Sequence, residues 1–182
     1  MIWHIYKHVR HALPIIAMIG MIGGVWQYFE KQRQGRVEYT MRLLDKFNSA
    51  PFTTFRSEIN KATTNNAIEI SDAARNSKEQ LSDVISKIVR DQVDLDSHLS
   101  IVFEFFDAVS VCARNNLCDA ETVDDFFFLY ARTQYHNFYQ YIVSQRHGLK
   151  SANFAKGIED LVTKPRPSRG ILSTWRSRFA AL

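Results

Sequence analysis

The chain has 182 residues and a net charge of +4, and that charge is unevenly distributed. Residues 37–163 hold thirteen basic and eighteen acidic residues, whereas residues 164–182 hold five basic residues and no acid. A nucleic-acid-binding domain is therefore disfavoured, because such domains cluster basic residues on one face. The length beyond an N-terminal segment is enough for one domain with a core and too short for two.

An apolar run follows the short N-terminus, with no charged residue from Ala12 to Trp26. As a helix, residues 12–29 would be about 27 Å long, close to the hydrocarbon thickness of a bilayer. We predict one uncleaved transmembrane helix, because bulky aromatic residues stand where a signal peptidase needs small ones. A signal-peptide core or a buried helix is the alternative. The residues predicted to lie in the transmembrane span are Ala12, Ile15, Ile16, Ile19, Ile22, Val25 and Trp26.

The residues flanking this run predict its orientation. Lys7 and Arg10 precede it, whereas five basic residues follow it closely. Because basic residues are enriched on the cytoplasmic side, we expect the C-terminal domain in the cytoplasm. Within the run, Gly20 and Gly24 have the G-x-x-x-G spacing that lets two spans approach closely, which predicts self-association. The alternative is that these are ordinary glycines of a membrane span.

Hydrophobic periodicity predicts helices and no strand in the rest of the chain. The apolar helix should continue to Asn48 with Val37, Met41, Leu44 and Phe47 along one face. Gly35 is the expected bend. Residues 67–77 have a poor pattern and predict a short helical turn or a mobile connection. The later helices are expected at residues 52–62, around residues 81–91, and at residues 97–115, 120–146 and 150–163.

The helices at 97–115 and 120–146 should form an antiparallel hairpin. Asp94 or Asp96 is expected to cap the first and Asp119 the second. The second helix is strongly aromatic, which predicts a core-filling element or, alternatively, a partner surface. The residues selected as interaction candidates, in this helix and in the basic amphipathic segment 164–182, are Phe128, Tyr135, Tyr139, Trp175 and Phe179.

No motif in the sequence identifies a reaction. A phosphate-binding glycine loop, a nucleophile elbow and a zinc-binding pattern are absent, so we expect no cofactor and no metal. Cys112 and Cys118 are expected to be free thiols in a reducing compartment. Glu104 and Asp107 share a helical face and would be the acid pair of a hydrolase, although a solvated face is the simpler interpretation.

Three segments carry a resemblance to a known family. They are Leu99-x-x-Val102-x-x-Phe105-Phe106-Asp107, Asn115-x-Leu117-x-Asp119-x-Glu121, and the aromatic helix ending in Ile142-x-x-x-Arg146. Together with the N-terminal span, they resemble an uncharacterised family of small bacterial and phage membrane proteins with a helical domain of unknown function. The resemblance implies a helical fold and a bacterial cell membrane, and it implies no established activity.

The sequence thus predicts an all-α protein with an N-terminal transmembrane helix and a cytoplasmic antiparallel helical bundle. The expected parts are an anchor (1–36), a bundle (37–163) and a basic amphipathic tail (164–182). We expect a non-enzymatic interaction or scaffold module at the bacterial inner membrane. Its expected partners are the lipid bilayer, further copies of itself and an unidentified protein. The alternatives are an oligomeric membrane effector of phage or defence type and the hydrolase using Glu104 and Asp107.

Overall fold

The protein is described by a computed structural model at residues 2–148 and 151–164, excluding the side chains of residues 2–17 and Ile19. Within these ranges the chain forms seven α-helices and no strand, so the all-α prediction is confirmed. The helices are α1 (Ile2–Phe47), α2 (Phe52–Asn65), α3 (Ala67–Asn76), α4 (Lys78–Asp91), α5 (Leu95–Arg114), α6 (Ala120–His147) and α7 (Lys156–Thr163).

Helix α1 has 46 residues and at 1.5 Å per residue is about 69 Å long. It continues through Gly35 without a break, and the bend expected there stays a prediction. Thr40 and Phe47 are buried, whereas Met41 is 38% exposed. Val37 and Leu44 are partly buried, so the predicted stripe is confirmed at Val37, Leu44 and Phe47. It is wrong at Met41, beside which the polar Thr40 is buried instead. In the part of the chain that the structure describes, no helix is both long and apolar enough to cross a membrane.

The core is built around Phe47, at the end of α1. Its ring lies 5.1 Å from that of Phe105 in α5 and 5.6 Å from that of Phe127 in α6. Leu99, Val102, Phe103 and Phe106 of α5 are fully buried, as expected for a central helix. Phe127 and Tyr130 of α6 pack against Phe47 of α1 and Phe106 of α5, which agrees with the core-filling interpretation for this part of α6.

Helix α3 (Ala67–Asn76) forms where a short helical turn or a mobile connection was predicted, and its ten residues are longer than a single turn. It packs mainly on α4, where Ala73 is buried and Lys87 forms a 3.2 Å ion pair with Glu69. Ala73 is the one residue of α3 that is buried, so the sequence has no clear apolar stripe there. Hydrophobic periodicity therefore could not predict a helix that is stabilised by its contact with α4. Helix α4 is the amphipathic helix that was predicted, and the Ser77 hydroxyl caps it by accepting from the Gln80 N–H at 3.1 Å.

The ends of α5, α6 and α7 test three further expectations. Asp94 occupies the N-cap position of α5, as predicted, but it lies in the left-handed region with φ of 68° and its side chain makes no capping hydrogen bond. Asp96, the alternative, lies inside α5. Asp119 caps α6 as predicted, because its carboxylate accepts from the Thr122 N–H at 3.0 Å. Helix α7 begins at Lys156 and is shorter than predicted, although Ile158 is fully buried and closes the core.

Candidate functional site

The most unusual surface of the protein is the apolar part of α1 that lies outside the bundle. Residue 18 and every residue from 20 to 29 are exposed. Met21 is 72% exposed, Trp26 68% and Phe29 61%, and these residues occupy several faces of the helix. Contiguous apolar surface of this kind marks a membrane or protein contact, because soluble surfaces rarely carry it.

The structure describes only part of the predicted span. Ile22 and Val25 are 64% and 51% exposed, and Trp26 is similarly open. The side chains of Ala12, Ile15, Ile16 and Ile19 lie outside the described residues. A Cβ built on Gly20 or Gly24 would meet no described atom within 4 Å, and the same holds for Gly23. The G-x-x-x-G face is therefore open to a neighbouring helix.

Two polar side chains of α1, Thr40 and Arg33, contact the start of α6. Thr40 is fully buried, and its hydroxyl oxygen accepts from the Asp119 N–H at 3.0 Å while donating to the Arg36 carbonyl at 2.9 Å. Seven residues earlier, the Arg33 guanidinium lies 4.0 Å from the Asp119 carboxylate and 3.7 Å from that of Glu121. Sequence reasoning missed Thr40, and its signal is one polar residue within an otherwise apolar stripe.

The predicted interaction residues of α6 lie in different environments. Phe128 is partly buried in a half-open pocket of about 340 Å³ between α5, α6 and α7. Tyr135 is 7% exposed, so its ring belongs to the core, whereas the neighbouring Tyr139 is 43% exposed. The Tyr135 and Tyr139 rings meet edge to face, with their centroids 5.5 Å apart. The three predicted residues nevertheless differ in exposure and do not form one open surface. Trp175 and Phe179 lie outside the described residues.

Glu104 and Asp107 have different surroundings although they share a helical face. Glu104 is exposed, whereas Asp107 is partly buried and accepts a hydrogen bond from the Gly157 N–H. Burial raises the pKa of the Asp107 carboxyl, and the Gly157 N–H offsets this only in part. Asp107 thus holds α7 against α5. Among the described residues, no group of three or more His, Cys, Asp or Glu is placed to hold a metal ion.

Other buried polar groups also support the packing. The Arg56 guanidinium lies 4.3 Å from the centre of the Phe47 ring and donates to the Phe47 carbonyl at 3.1 Å. Tyr130 is packed beside it, and burial raises the pKa of its hydroxyl to about 12. These contacts of Arg56 and Tyr130 fix the end of α1 within the core.

Cys112 and Cys118 form a disulfide, with their Cα atoms 5.3 Å apart. The prediction of two free thiols is therefore wrong. Both side chains are buried, and the bond fastens the end of α5 to the residue before the Asp119 cap. Spacing alone did not reveal the pair, because the Asn115–Leu117 turn had to fold the chain back before the sulfurs could meet.

Comparison with known proteins supplies the family. Residues 14–164 match a domain of unknown function, DUF4760. The chain belongs to the DUF4760 family. The matched region runs from the apolar part of α1 to the end of α7, so the DUF4760 domain includes the exposed helix as well as the bundle. This agrees with the expectation of an uncharacterised family. No curated protein and no solved structure matches the chain.

Proposed function

We propose that this DUF4760 protein is a single-pass, membrane-anchored interaction or scaffold module without enzymatic activity. Its bundle would lie in the cytoplasm at a bacterial inner membrane and recruit a protein partner. The observation that supports this proposal most directly is the exposed apolar segment of α1, from Met18 to Phe29. Exposure of apolar surface costs about 25 cal/mol per Å², and a bilayer would remove that cost.

The sequence before the exposed segment extends the argument. The uncharged run continues back to Ala12, which brings the apolar length to that of a bilayer core. Trp26, Tyr28 and Phe29 end the run, where interfacial aromatic residues are expected. The polar contacts of Arg33 and Thr40 with Asp119 would then hold the bundle at a fixed distance from the membrane. A rigid connection of this kind suits a scaffold that presents one face to its partner.

Charged substitutions in α1 test the anchor. We expect the double variant Ile22→Lys/Val25→Lys to shift the full-length protein from the alkali-resistant membrane fraction to the soluble fraction. Each lysine at a span centre costs about 2.5–3.5 kcal/mol on insertion. Tyr39→Lys is the matched control, because Tyr39 lies on the same helix beyond Arg33 and is 49% exposed. An unchanged fraction for the double variant would contradict the anchor.

The open faces of Gly20 and Gly24 favour a second candidate, an oligomeric membrane effector. Full-length protein crosslinked in membranes should give discrete oligomers that are lost in Gly20→Leu/Gly24→Leu, because the leucines would keep two spans apart. Gly23→Leu is the control, since Gly23 is equally open but lies off this spacing. Oligomers accompanied by dye leakage from vesicles would support the effector, and oligomers without leakage would support the scaffold.

A further inference from the structure

The half-open pocket between α5, α6 and α7 has the size and the wall of a small-molecule site. Its volume of about 340 Å³ is at the lower end of the range for such sites, roughly 300–1,000 Å³. Much of its wall is apolar, and the apolar wall residues are Ala113, Ala120, Val123, Phe128 and Leu161. The pocket could therefore enclose the body of a small apolar molecule.

Contacts on either side of the pocket hold its walls in place. The Cys112–Cys118 disulfide joins the end of α5 to the start of α6, next to the wall residues Ala113 and Ala120. Helix α7 is held against α5 where the Asp107 carboxylate accepts from the Gly157 N–H. Because the two alanines have only methyl side chains, the space between these fixed walls is left open. The pocket is thus formed before any ligand binds.

One buried polar group of the wall has no partner in the described part of the chain. Ser110 of α5 is 8% exposed and lines the pocket. Its hydroxyl makes no hydrogen bond to residues 2–148 or 151–164. A buried hydroxyl without a partner costs free energy, because it has given up its hydrogen bonds to water. A ligand oxygen beside Ser110 would supply the missing hydrogen bond.

The charged residues of the wall favour a neutral ligand. Two are basic, Arg114 and Lys164, and two are acidic, Asp124 and Asp160. The Asp160 carboxylate lies 3.7 Å from the Arg114 guanidinium and 2.7 Å from the Lys164 ammonium. The charges of the wall therefore balance, and both cations already have an acidic partner. A charged ligand would lose its hydration on entry without meeting a surplus of opposite charge.

We propose that this pocket binds a neutral, ring-bearing small molecule with one hydrogen-bonding oxygen. The ring would pack against Phe128 and the apolar wall, and the oxygen would bond to the Ser110 hydroxyl. Because α7 forms one wall, the bound molecule would hold α7 against the α5–α6 hairpin. The proposal concerns ligand binding by the bundle, so it goes beyond the proposed anchor and does not depend on it.

Naphthol binding to the full-length protein in detergent tests the proposal, with backbone hydrogen exchange as the readout. Naphthol is a neutral two-ring molecule with one hydroxyl. Naphthalene lacks the hydroxyl, whereas naphthoate and naphthylmethylammonium carry opposite charges on the same rings. At equal free concentration, measured by dialysis, naphthol should slow exchange at the end of α5, at the start of α6 and in α7. It should bind more tightly than either charged analogue.

Two variants separate the hydrogen bond from the apolar wall. Ser110→Ala should weaken naphthol binding about three- to tenfold, the effect of one lost hydrogen bond, and leave naphthalene binding unchanged. Ala113→Phe should abolish the binding of both, because the larger side chain would occupy the pocket. Ala108→Phe is the matched control, since Ala108 is exposed on the same helix. It should bind both molecules as the wild type does.

Unchanged hydrogen exchange with naphthol, or protection that persists in Ala113→Phe, would overturn the pocket as a ligand site. Equal naphthol affinity of wild type and Ser110→Ala would overturn the hydrogen bond, and tighter binding of a charged analogue would overturn the neutral class. If Ala113→Phe does not fold, Ser110→Ala still decides, because it only removes an oxygen. The membrane fractionation of Ile22→Lys/Val25→Lys tests the anchor separately, so either proposal can fail while the other stands.

Discussion

Asp107 is a partly buried acid that positions a helix. Its carboxylate accepts from the Gly157 N–H, and burial raises its pKa above the ordinary value of 3.8. The folded state therefore binds the Asp107 proton more tightly than the unfolded state does. The resulting contribution to stability is fully present below the unfolded pKa and is lost as the pH rises through the folded pKa.

Asp107→Asn should therefore raise the free energy of unfolding at about pH 7, with a smaller gain at about pH 3. Asparagine keeps an oxygen that can accept from the Gly157 N–H but carries no charge to desolvate. Urea unfolding followed by circular dichroism at the two pH values measures the gain. Wild-type stability should also change with Glu159, whose pKa burial raises but hydrogen bonds from Lys156 and Arg146 lower overall. The difference between variant and wild type is thus the quantity to compare.

Asp45→Asn is the control for this measurement, because Asp45 is an exposed acid on α1. It should leave the free energy of unfolding nearly unchanged at both pH values. A loss of stability in Asp107→Asn at pH 7 would contradict the argument, since it would show that the charged carboxylate holds Gly157 better than the amide does.

At the scale of elements, the contact between α5 and α7 depends on a missing side chain. A Cβ on Gly157 would lie 2.3 Å from the Asp107 Cα and 2.7 Å from the Phe106 carbonyl oxygen. Both are backbone atoms, so no side-chain rotation relieves the clash. Gly157→Ala should push α7 away from the core and expose Ile158, which is now fully buried.

We expect Gly157→Ala to lower the free energy of unfolding by at least about 1–3 kcal/mol, the usual cost of overpacking. Urea unfolding of the full-length protein measures this loss. Gly35→Ala is the matched control, because a Cβ there meets no described atom within 4 Å and alanine favours a helix interior by about 1 kcal/mol. Equal stability of the two variants would show that α7 can shift without cost.

The sequence predicts helices well where each buries a stripe of its own. Ile85, Ile88 and Val89 are buried as the periodicity of α4 indicates, and the Asp119 cap lies where α6 begins. Contacts between elements were not predictable in this way. Three small residues are buried only because another helix faces them: Ala73 in α3, Thr40 in α1 and Gly157 in α7. Hydrophobic periodicity within one helix does not indicate which other helix packs against it.

The exposed apolar part of α1 was predictable from the sequence, whereas the exposure of individual residues in α6 was not. An uncharged run identifies Ile22, Val25 and Trp26 from sequence alone, and all three are exposed in the structure. Tyr135 and Tyr139 look equivalent in sequence, yet only Tyr139 reaches the surface. The difference arises because α6 contacts α1, α4, α5 and α7, so most of its circumference is covered.

For the whole molecule, two features give opposite indications of the side on which the bundle lies. Basic residues such as Lys31 and Arg36 follow the apolar run and favour the cytoplasm. The Cys112–Cys118 disulfide is of a type that persists in oxidising compartments and is rare in the cytoplasm. The cytoplasmic placement therefore requires that the pair be reduced in growing cells and form the bond on later oxidation.

The redox state of this pair in cells consequently tests the topology. Cells quenched in acid, denatured and treated with a mass-tagged maleimide should yield protein carrying two tags if the bundle is cytoplasmic. Cys112→Ala/Cys118→Ala should carry none and controls for other reactive groups. Alkaline phosphatase fused after Leu182 should be inactive in the same cells, because the enzyme needs its own disulfides to fold. Untagged wild-type protein together with an active fusion would place the bundle outside the cytoplasm.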